Sequence, residues 1–351
     1  MEPSIWSRLP DDLLDRILAL LPLKTLFALR PTCKRFNSLL FTPSFLSLLN
    51  SSPASSSFLI LSHPQFSHRF LPLYDSSTDH WRTIPLSSPT THLLSSSSGL
   101  LLFSVGYSSL LVLNLLTNCS TVVRCPTNPI SSATLISSPS SSPHGYRIFV
   151  PCPNTNWVFV YSSASQSWSR FSGLDSVMGH SNFRQNGILF HGSLFFSTPE
   201  PFSIVAFDPV TGVWDPRAGP ELPAELAFVR LVNGRIGKEE RLYLVGGVGR
   251  DGISRSLRIW ELVSGNWEEV GRLPELMCRK FVSVCYHNYS HVYCFWHEGL
   301  VCVCCTTWPE VLFFKVGRET WHWLQRCPLL QEKWSCGFRW FSFVPDLYAL
   351  V

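Results

Sequence analysis

The chain has 351 residues and a formal net charge of +4, and 45% of its residues are hydrophobic while only 15% are charged. This composition supplies enough apolar surface for a large core and excludes disorder for most of the chain. Lysine and arginine form no dense run and no nucleic-acid-binding motif is present, so a nucleic-acid partner is not expected.

Three short helices are predicted in the amino-terminal segment, residues 1–49. The first has apolar side chains spaced to form one broad helical face: Leu13, Leu14, Ile17, Leu18 and Leu21. Pro22 ends this helix and suits the first turn of a second one, which runs to about Leu29. In the third helix, after Pro31, the apolar residues at helical spacing are Cys33, Phe36 and Leu40.

This helical segment is predicted to expose more apolar surface than its own core needs. A bundle of roughly 40 residues rarely buries enough surface to be stable alone. Its expected exposed patch comprises Leu9, Pro10, Leu13 and Leu26. Such a patch usually marks a docking site for another protein. The alternative is an ordinary helical extension whose apolar side chains pack on the rest of the chain.

The segment from about residue 5 to residue 45 resembles the F-box family. The strings LPDDLLDRIL, LPLKTL and CKRF occur in the family's order, except that Thr32 replaces Val and Phe36 replaces Trp. We expect these two changes to alter packing slightly. The resemblance implies an F-box domain over 1–49 that binds a Skp-family adaptor and, through it, a cullin. The adaptor-facing residues that it implies are Leu9, Pro10, Leu13, Ile17, Leu21, Pro22, Leu26, Leu29, Cys33, Lys34 and Phe36.

The cellular compartment is predicted from the amino terminus and the cysteines. Acidic side chains interrupt any apolar region there, so no secretory signal is expected. We therefore expect the 12 cysteines to be reduced and the protein to lie in the cytoplasm, the nucleus or both. The uncharged run 99–116 fits two strands and a turn better than a membrane helix, so no membrane partner is expected.

A zinc site is the alternative interpretation of the cysteine-rich region near residue 300. Its candidate ligands would be His287, His291, Cys294 and Cys302. Their spacing matches no common zinc finger, and a free cysteine is commonly a small core residue. The apolar run around Cys302 therefore predicts a buried strand, and no metal or cofactor is predicted.

After a serine-rich linker, residues 50–57, one turn repeats six times about every 50 residues. Each copy begins with an apolar or aromatic strand end, continues through a polar turn and usually ends in Trp. The copies are Tyr74–Trp81, Asn114–Thr121, Tyr161–Trp168, Phe207–Trp214, Trp260–Trp267 and Phe314–Trp321. Their serine, threonine, aspartate, asparagine and glycine residues suit tight hairpins. The 26 prolines and 20 glycines of the chain also favour an all-β architecture.

This repeat resembles the kelch repeat, in which a double glycine precedes a Tyr and a Trp in each four-stranded blade. The double glycine is clear only at Gly246–Gly247. Together with the F-box, the repeat is similar to the plant F-box/kelch-repeat family. The resemblance implies a mainly β propeller over 58–351, and the six copies imply six blades. The first blade has room for only three strands before Pro85, so we predict that an apolar strand over 338–344 completes it and closes the ring. The tryptophans are expected to pack between blades, with a ligand platform as the alternative.

The loops between the second and third strands of each blade are predicted to form the face that binds a target. They span 63–69, 104–109, 151–156, 198–202, 248–255 and 306–310. Their candidate target-binding residues are Phe66, Arg69, Tyr107, Asn156, Glu200, Arg250, Asp251, Arg255 and Trp308. Aromatic and arginine side chains are favoured anchors in interfaces. The alternative for each residue is a solvated loop tip.

These features predict a substrate-recognition subunit of an SCF-type cullin–RING ubiquitin ligase, without catalytic residues of its own. The F-box would hold the adaptor and the propeller would hold an unknown protein target for ubiquitination. A non-degradative scaffold or a nuclear transcriptional cofactor is the alternative. A propeller enzyme is a third possibility, but the sequence has no nucleotide-binding loop, no Gly-x-Ser-x-Gly elbow and no His-Glu-x-x-His motif.

Overall fold

The computed structural model describes residues 9–21, 25–26, 29–39, 42, 44–45, 48, 57–66, 70–76, 78–85, 92–128, 130, 132–137, 145–152, 155–174, 186–223, 225–237, 239–250, 252–331, 333, 335–346 and 349–351. Near the amino terminus, helix α1 spans Asp11–Ala19 and helix α2 spans Lys34–Leu39. Pro10 precedes α1, and two aspartates in its first turn favour the helix dipole. Of the second predicted helix, only residues 25, 26 and 29 are described.

Within the described residues, 24 strands form six four-stranded antiparallel sheets, here called blades I to VI. Blade I contains β1 (Phe58–Ser62), β2 (Phe70–Asp75), β3 (His80–Pro85) and β24 (Arg339–Phe343). Blade II contains β4 (His92–Ser97), β5 (Leu100–Val105), β6 (Ser109–Asn114) and β7 (Cys119–Arg124). Blade III contains β8 (Thr134–Ser137), β9 (Tyr146–Cys152), β10 (Trp157–Ser162) and β11 (Ser167–Ser172).

The remaining blades follow in chain order. Blade IV contains β12 (Ile188–Phe190), β13 (Ser193–Ser197), β14 (Ile204–Phe207) and β15 (Trp214–Asp215). Blade V contains β16 (Leu226–Ile236), β17 (Glu239–Arg250), β18 (Ile253–Val263) and β19 (Asn266–Arg272). Blade VI contains β20 (Val292–His297), β21 (Leu300–Cys305), β22 (Trp308–Lys315) and β23 (Thr320–Trp323), and helix α3 (Glu275–Val284) precedes it. The predicted fold, a six-bladed propeller preceded by a helical segment, is confirmed.

The innermost strands of successive blades contact each other from blade IV through V, VI, I and II to III, so these strands lie on the inner side of the ring. In blade I this inner strand is β24, which pairs with β1 from Phe58↔Phe343 to Ser62↔Arg339. The two ends of the propeller segment therefore share one sheet, at the place where the sequence predicts a closing strand. Pairing with β24 completes blade I as a four-stranded sheet, while each blade keeps a short inner edge and a short outer edge.

The hydrophobic core lies between neighbouring blades. Among the described residues, one apolar cluster fills each of the six blade interfaces. The repeated Trp turns join the third and fourth strands and carry cross-strand aromatic pairs, such as Phe207 and Trp214 with ring centroids 4.8 Å apart. Trp168 belongs to blade III, and its indole donates a hydrogen bond of 2.9 Å to the Arg124 carbonyl of blade II. The predicted role of these tryptophans between blades is confirmed.

Blade V differs from the others because three of its strands are about twice as long. Its double glycine allows side chains to lie directly against the backbone. A Cβ at Gly247 would come within 2.5 Å of the Phe228 ring and 2.2 Å of the Ser254 hydroxyl. The Phe228 ring in turn stacks on Tyr289, with centroids 4.7 Å apart, which joins blade V to the connection that contains α3.

Candidate functional site

Helix α1 and the residue that caps its carboxyl end present an apolar stripe to solvent, formed by Leu13, Ile17 and Leu20. Their exposed fractions are 42%, 40% and 61%. The spacing i, i+4 and i+7 places the three side chains along one side of the helix. The neighbouring side, with Leu14 and Leu18, faces the small core of the helical segment. The broad apolar face predicted from sequence therefore has a buried part and an exposed part, which we call the α1 stripe.

The other predicted adaptor-facing residues have different surroundings. Leu9, Leu21, Leu29 and Phe36 are half-buried, whereas Pro10, Cys33 and Lys34 are exposed. The expectation that Leu26 lies in an exposed patch is wrong, because it is 3% exposed and packs in the helical core. Pro22 lies outside the described residues. Leu20 was missed, although its distance of three residues from Ile17 places it on the same side of α1.

Ionic and polar contacts fix α1 relative to α2. The Arg35 guanidinium forms ion pairs with Asp11 and, at 3.1 Å, with Asp15. At the start of α2, the Phe36 amide donates a hydrogen bond of 3.4 Å to the sulfur of Cys33, which lies just before the helix. These contacts are partly exposed, so they contribute little to stability. Their effect is geometric, because they hold the α1 stripe in a defined orientation.

The propeller has two faces that differ in charge. The upper face is defined by the connections between the second and third strands of each blade and between its fourth strand and the first strand of the next blade. The lower face is defined by the connections between the first and second strands and between the third and fourth strands. Antiparallel strands place these two sets of connections at opposite ends of the blades. In the described connections and at the strand ends beside them, the upper cations are Arg124, Arg217, Arg250, Arg272, Arg279, Lys280, Arg326, Lys333 and Arg339. The upper carboxylates there are Glu200, Asp215, Glu221, Glu225 and Glu275.

The lower face has the opposite balance. Its carboxylates at the same kinds of position, among the described residues, are Asp75, Asp79, Asp208, Glu239, Glu298 and Glu319. The cations there are Lys315 and Arg318. Among the described residues at these positions, the charge is therefore net basic on the upper face and net acidic on the lower face. A charge difference of this kind steers oppositely charged partners to one face.

The predicted target-binding residues are only partly surface residues. Tyr107, in the β5–β6 turn, is 83% exposed, Glu200 is exposed in the β13–β14 connection, and Asn156 is half-buried in the β9–β10 turn. The expectation for Phe66 is wrong, because its ring is 6% exposed and packs between blades VI and I. Arg69 and Asp251 lie outside the described residues.

Three further candidates lie in strands, where loops were predicted. Arg250 ends β17 and Arg255 lies in β18, so the stretch 248–255 is an extended hairpin. Trp308 begins β22 and packs against the core between blades V and VI. Hairpin pairing between consecutive strands extends these strands beyond the pattern that is visible in the sequence. The Arg250 guanidinium forms an ion pair with Glu225 and lowers the pKa of that carboxyl group.

Helix α3 was not predicted and lies in the fourth-to-first connection between blades V and VI, on the upper face. Its buried side chains, Cys278 and Phe281, are followed by Cys285 at helical spacing, which is the signal that could have revealed it. Lys280 forms an ion pair of 2.7 Å with Glu310 and lies 4.1 Å from the centre of the Trp323 ring. The helix is thereby fixed to blade VI.

Thiol and metal chemistry depend on the cysteines and on the acidic and histidine side chains of the described residues. The 12 cysteines are free thiols, and burial raises the pKa of Cys285 to about 11, so this thiol stays protonated. Across the described residues, no group of three or more His, Cys, Asp or Glu side chains could hold a metal ion. In the same residues, no helix has the length and hydropathy to span a membrane.

Comparison with known proteins agrees with both parts of the molecule. Residues 6–48 match the F-box domain family. An F-box/kelch-repeat protein of Arabidopsis thaliana is 47% identical over 369 residues, covering 100% of this chain and 90% of that protein. Protein ABERRANT PANICLE ORGANIZATION 1 of Oryza sativa subsp. japonica is 30% identical, and the match covers 99% of this chain and 90% of that protein. Protein UNUSUAL FLORAL ORGANS of Arabidopsis thaliana is 25% identical, and the match covers 93% of this chain and 80% of that protein.

Proposed function

The chain belongs to the plant F-box/kelch-repeat family, and on that premise we propose that it is the substrate-recognition subunit of an SCF-type cullin–RING ubiquitin ligase. The α1 stripe would bind a Skp-family adaptor, and the adaptor would link the chain to a cullin. The observation that carries this proposal is the exposure of Leu13, Ile17 and Leu20 on a helix of the matched F-box region. Contiguous exposed apolar side chains are typical of protein interaction sites.

The propeller geometry supports different roles for its two faces, with the helical segment attached at one face and the target bound at the other. The chain reaches β1 at Ser57, whose hydroxyl lies 3.1 Å from that of Ser76 in a third-to-fourth connection. The helical segment is thus attached at the lower face, and the upper face is at the other end of the blades. We assign the protein target to the upper face, where it does not compete with the attachment for space.

The contribution of this chain to ubiquitination would be positional. Holding a target near the ubiquitin-charged enzyme raises the effective concentration of its lysines, and this chain supplies no catalytic group. The proposal places the protein in the cytoplasm, the nucleus or both, where the ligase components and free thiols are expected.

The turnover of bound proteins tests the ligase role. Leu13→Asp combined with Ile17→Asp should remove adaptor binding without unfolding the helices, since both side chains are partly exposed. Proteins captured by wild type under proteasome inhibition should also be captured by the variant, but their half-lives should be longer in cells that express only the variant. Val210→Asp, at an exposed apolar residue of the propeller, is the matched control. Equal half-lives with all three chains would favour a non-degradative scaffold or transcriptional cofactor.

A further inference from the structure

Each blade ends in an outer strand that has only one neighbour in its sheet, among the strands that the structure describes. Proteins protect such edges from pairing with other chains by means of charges, prolines, bulges or short strands. Five of the six outer strands have a guard of this kind. Strand β3 contains Arg82 and Pro85, β11 contains Arg170, β15 has 2 residues, β19 is rich in charged residues and pairs across a register shift, and β23 has 4 residues.

The outer strand of blade II, β7, lacks these guards before its last residue. Its sequence is Cys-Ser-Thr-Val-Val-Arg, and its one charged side chain is that of Arg124 at the end. It pairs with β6 from Ser109↔Arg124 to Asn114↔Cys119 without a register shift. Val122 lies near the middle of the strand and is 62% exposed. Strand β7 is therefore a regular and mostly uncharged edge with an accessible apolar side chain, which makes it a template for another strand.

The hydrogen bonds of β7 define which of its backbone groups point outward. The Cys125 amide, one residue beyond the strand, donates a hydrogen bond of 2.8 Å to the carbonyl of Ser108, just before β6. Successive residues of an antiparallel strand direct their backbone groups alternately to its two sides. The amide and carbonyl groups of Arg124, Val122 and Ser120 therefore point away from β6. These outward positions are symmetric about Val122.

This symmetry makes the edge self-complementary. When a second β7 pairs antiparallel and centred on Val122, the two Val122 residues exchange both of their backbone hydrogen bonds, and each Arg124 lies opposite Ser120 of the other copy. The two arginines do not face each other, and the exposed valine side chains lie side by side. The Trp168 indole already donates to the Arg124 carbonyl at 2.9 Å, so the further bonds expected run from each Arg124 amide to a Ser120 carbonyl.

A second copy of the chain fits this edge better than a flexible peptide does. Ordering the backbone of a flexible residue costs as much free energy as one hydrogen bond returns, or more. A peptide would incur this cost at every residue that it pairs, and Val122 offers it little apolar area in return. The β7 strand of another copy is already held in place by β6, so it pairs without that cost.

We propose that β7 is a self-association edge through which two copies of the chain pair antiparallel about a two-fold axis at Val122. Such an interface is isologous, because the same strand contributes to it from both copies. It joins the two copies of blade II into one continuous sheet. The dimer carries two upper faces, which would raise the apparent affinity for a target with two binding segments. Only this last consequence rests on the function proposed above.

Analytical ultracentrifugation of the purified full-length chain over a range of concentrations tests the proposal. Wild type should pass reversibly from monomer to dimer as its concentration rises. Val122→Lys places two like charges at the two-fold axis, so its dissociation constant for dimerisation should be at least about tenfold higher. Val213→Lys, at a valine that is also 62% exposed but lies in the β14–β15 connection, is the matched control and should dimerise like wild type. Thermal melting checks that both variants are folded.

Cysteine substitution at the two-fold axis tests the register. The Cα atoms of the two Val122 residues should lie about 5.5 Å apart, within the range of a disulfide. With oxidised glutathione as the oxidant, Val122→Cys should therefore form a disulfide between the two substituted residues, identified by mass spectrometry of unreduced peptides. In Ser120→Cys, the two substituted residues would be separated by roughly 13 Å along the strands, so this control should not form the link.

Three outcomes would overturn the proposal. The first is that wild type stays monomeric at every concentration, which would leave the edge to a strand of another protein. The second is that Val122→Lys dimerises as strongly as wild type. The third is that Ser120→Cys forms the intermolecular disulfide as efficiently as Val122→Cys. None of these assays contains a ligase subunit, so a failure here is separate from a failure of adaptor binding.

Discussion

The closing strand β24 should be indispensable for the propeller, and Trp340 measures its contribution. Trp340 is 2% exposed, its ring lies 5.7 Å from that of Trp81, and its amide donates to the Tyr293 hydroxyl of blade VI at 2.7 Å. Replacing a buried Trp with Ala removes a large contact area and leaves a cavity, which costs about 3–5 kcal/mol. We therefore expect Trp340→Ala to lower the free energy of unfolding by about that amount and the melting temperature by roughly 5–15 °C.

Urea and thermal unfolding of the full-length chain, followed by circular dichroism, measure this loss. Leu350→Ala, at a side chain that is 62% exposed, is the control and should change stability by no more than about 0.5 kcal/mol. A chain ending at Cys336 lacks β24 and should lose cooperative unfolding, whereas a chain ending at Asp346 should keep it. If the chain ending at Cys336 melted like the full chain, or if Trp340→Ala cost less than about 1 kcal/mol, β24 would not close the ring.

Two further predictions concern a buried histidine and the double glycine. Burial lowers the pKa of His297 from 6.5 to about 4. Between these two pH values, the imidazole is mostly protonated in the unfolded chain and mostly neutral in the folded chain. Stability should therefore be unaffected by this group above pH 6.5 and fall between pH 6.5 and about 4, by up to about 1.4 kcal/mol per pH unit. Urea unfolding at several pH values should show a shallower fall for His297→Asn, whereas the exposed control His92→Asn should keep the wild-type slope, and equal slopes for all three would refute the assignment. Gly247→Ala should cost about 1–3 kcal/mol because its new Cβ would overlap the Phe228 ring, whereas Gly317→Ala, whose Cβ would meet open space, should cost less than about 0.5 kcal/mol. Equal unfolding midpoints for the two glycine variants would contradict this reading of the double glycine.

The repeated turns could be predicted from sequence because their contacts are local. Tyr74 and Trp81 are seven residues apart and directly opposite in one hairpin, with ring centroids separated by 5.4 Å. The polar residues between them specify the turn, and the aromatic residues specify the pair. Repetition of this local unit about every 50 residues is sufficient to indicate the number of blades.

The errors arose where burial depends on distant parts of the chain. Phe66 lies near the amino end of the propeller, but it packs in a cluster that includes Cys302 and Val311 of blade VI. The family resemblance implied that Leu26 faces the adaptor. The resemblance carries no information about the cluster in which Leu26 is buried with Leu14 and Phe45. No pattern within a few residues of either position reports such contacts.

Only part of the upper-face structure could be predicted from the sequence, for a related reason. Loop tips such as Tyr107 follow from the repeat, whereas α3 and the extended hairpin of blade V interrupt it. The contact between the Cys278 thiol and the Arg255 carbonyl depends on packing of the helix against β18. The repeat predicted loops at these positions, whereas the structure has a helix that packs on a long hairpin.

Direct measurement of adaptor affinity tests the central claim, that the α1 stripe binds a Skp-family protein. Isothermal titration of a purified Skp-family adaptor into the full-length chain should show binding by wild type and by Val210→Asp. The double variant Leu13→Asp with Ile17→Asp should bind at least about a hundredfold more weakly, because charges would be buried against apolar surface. Equal affinities of wild type and the folded double variant, or no binding by wild type, would contradict the claim.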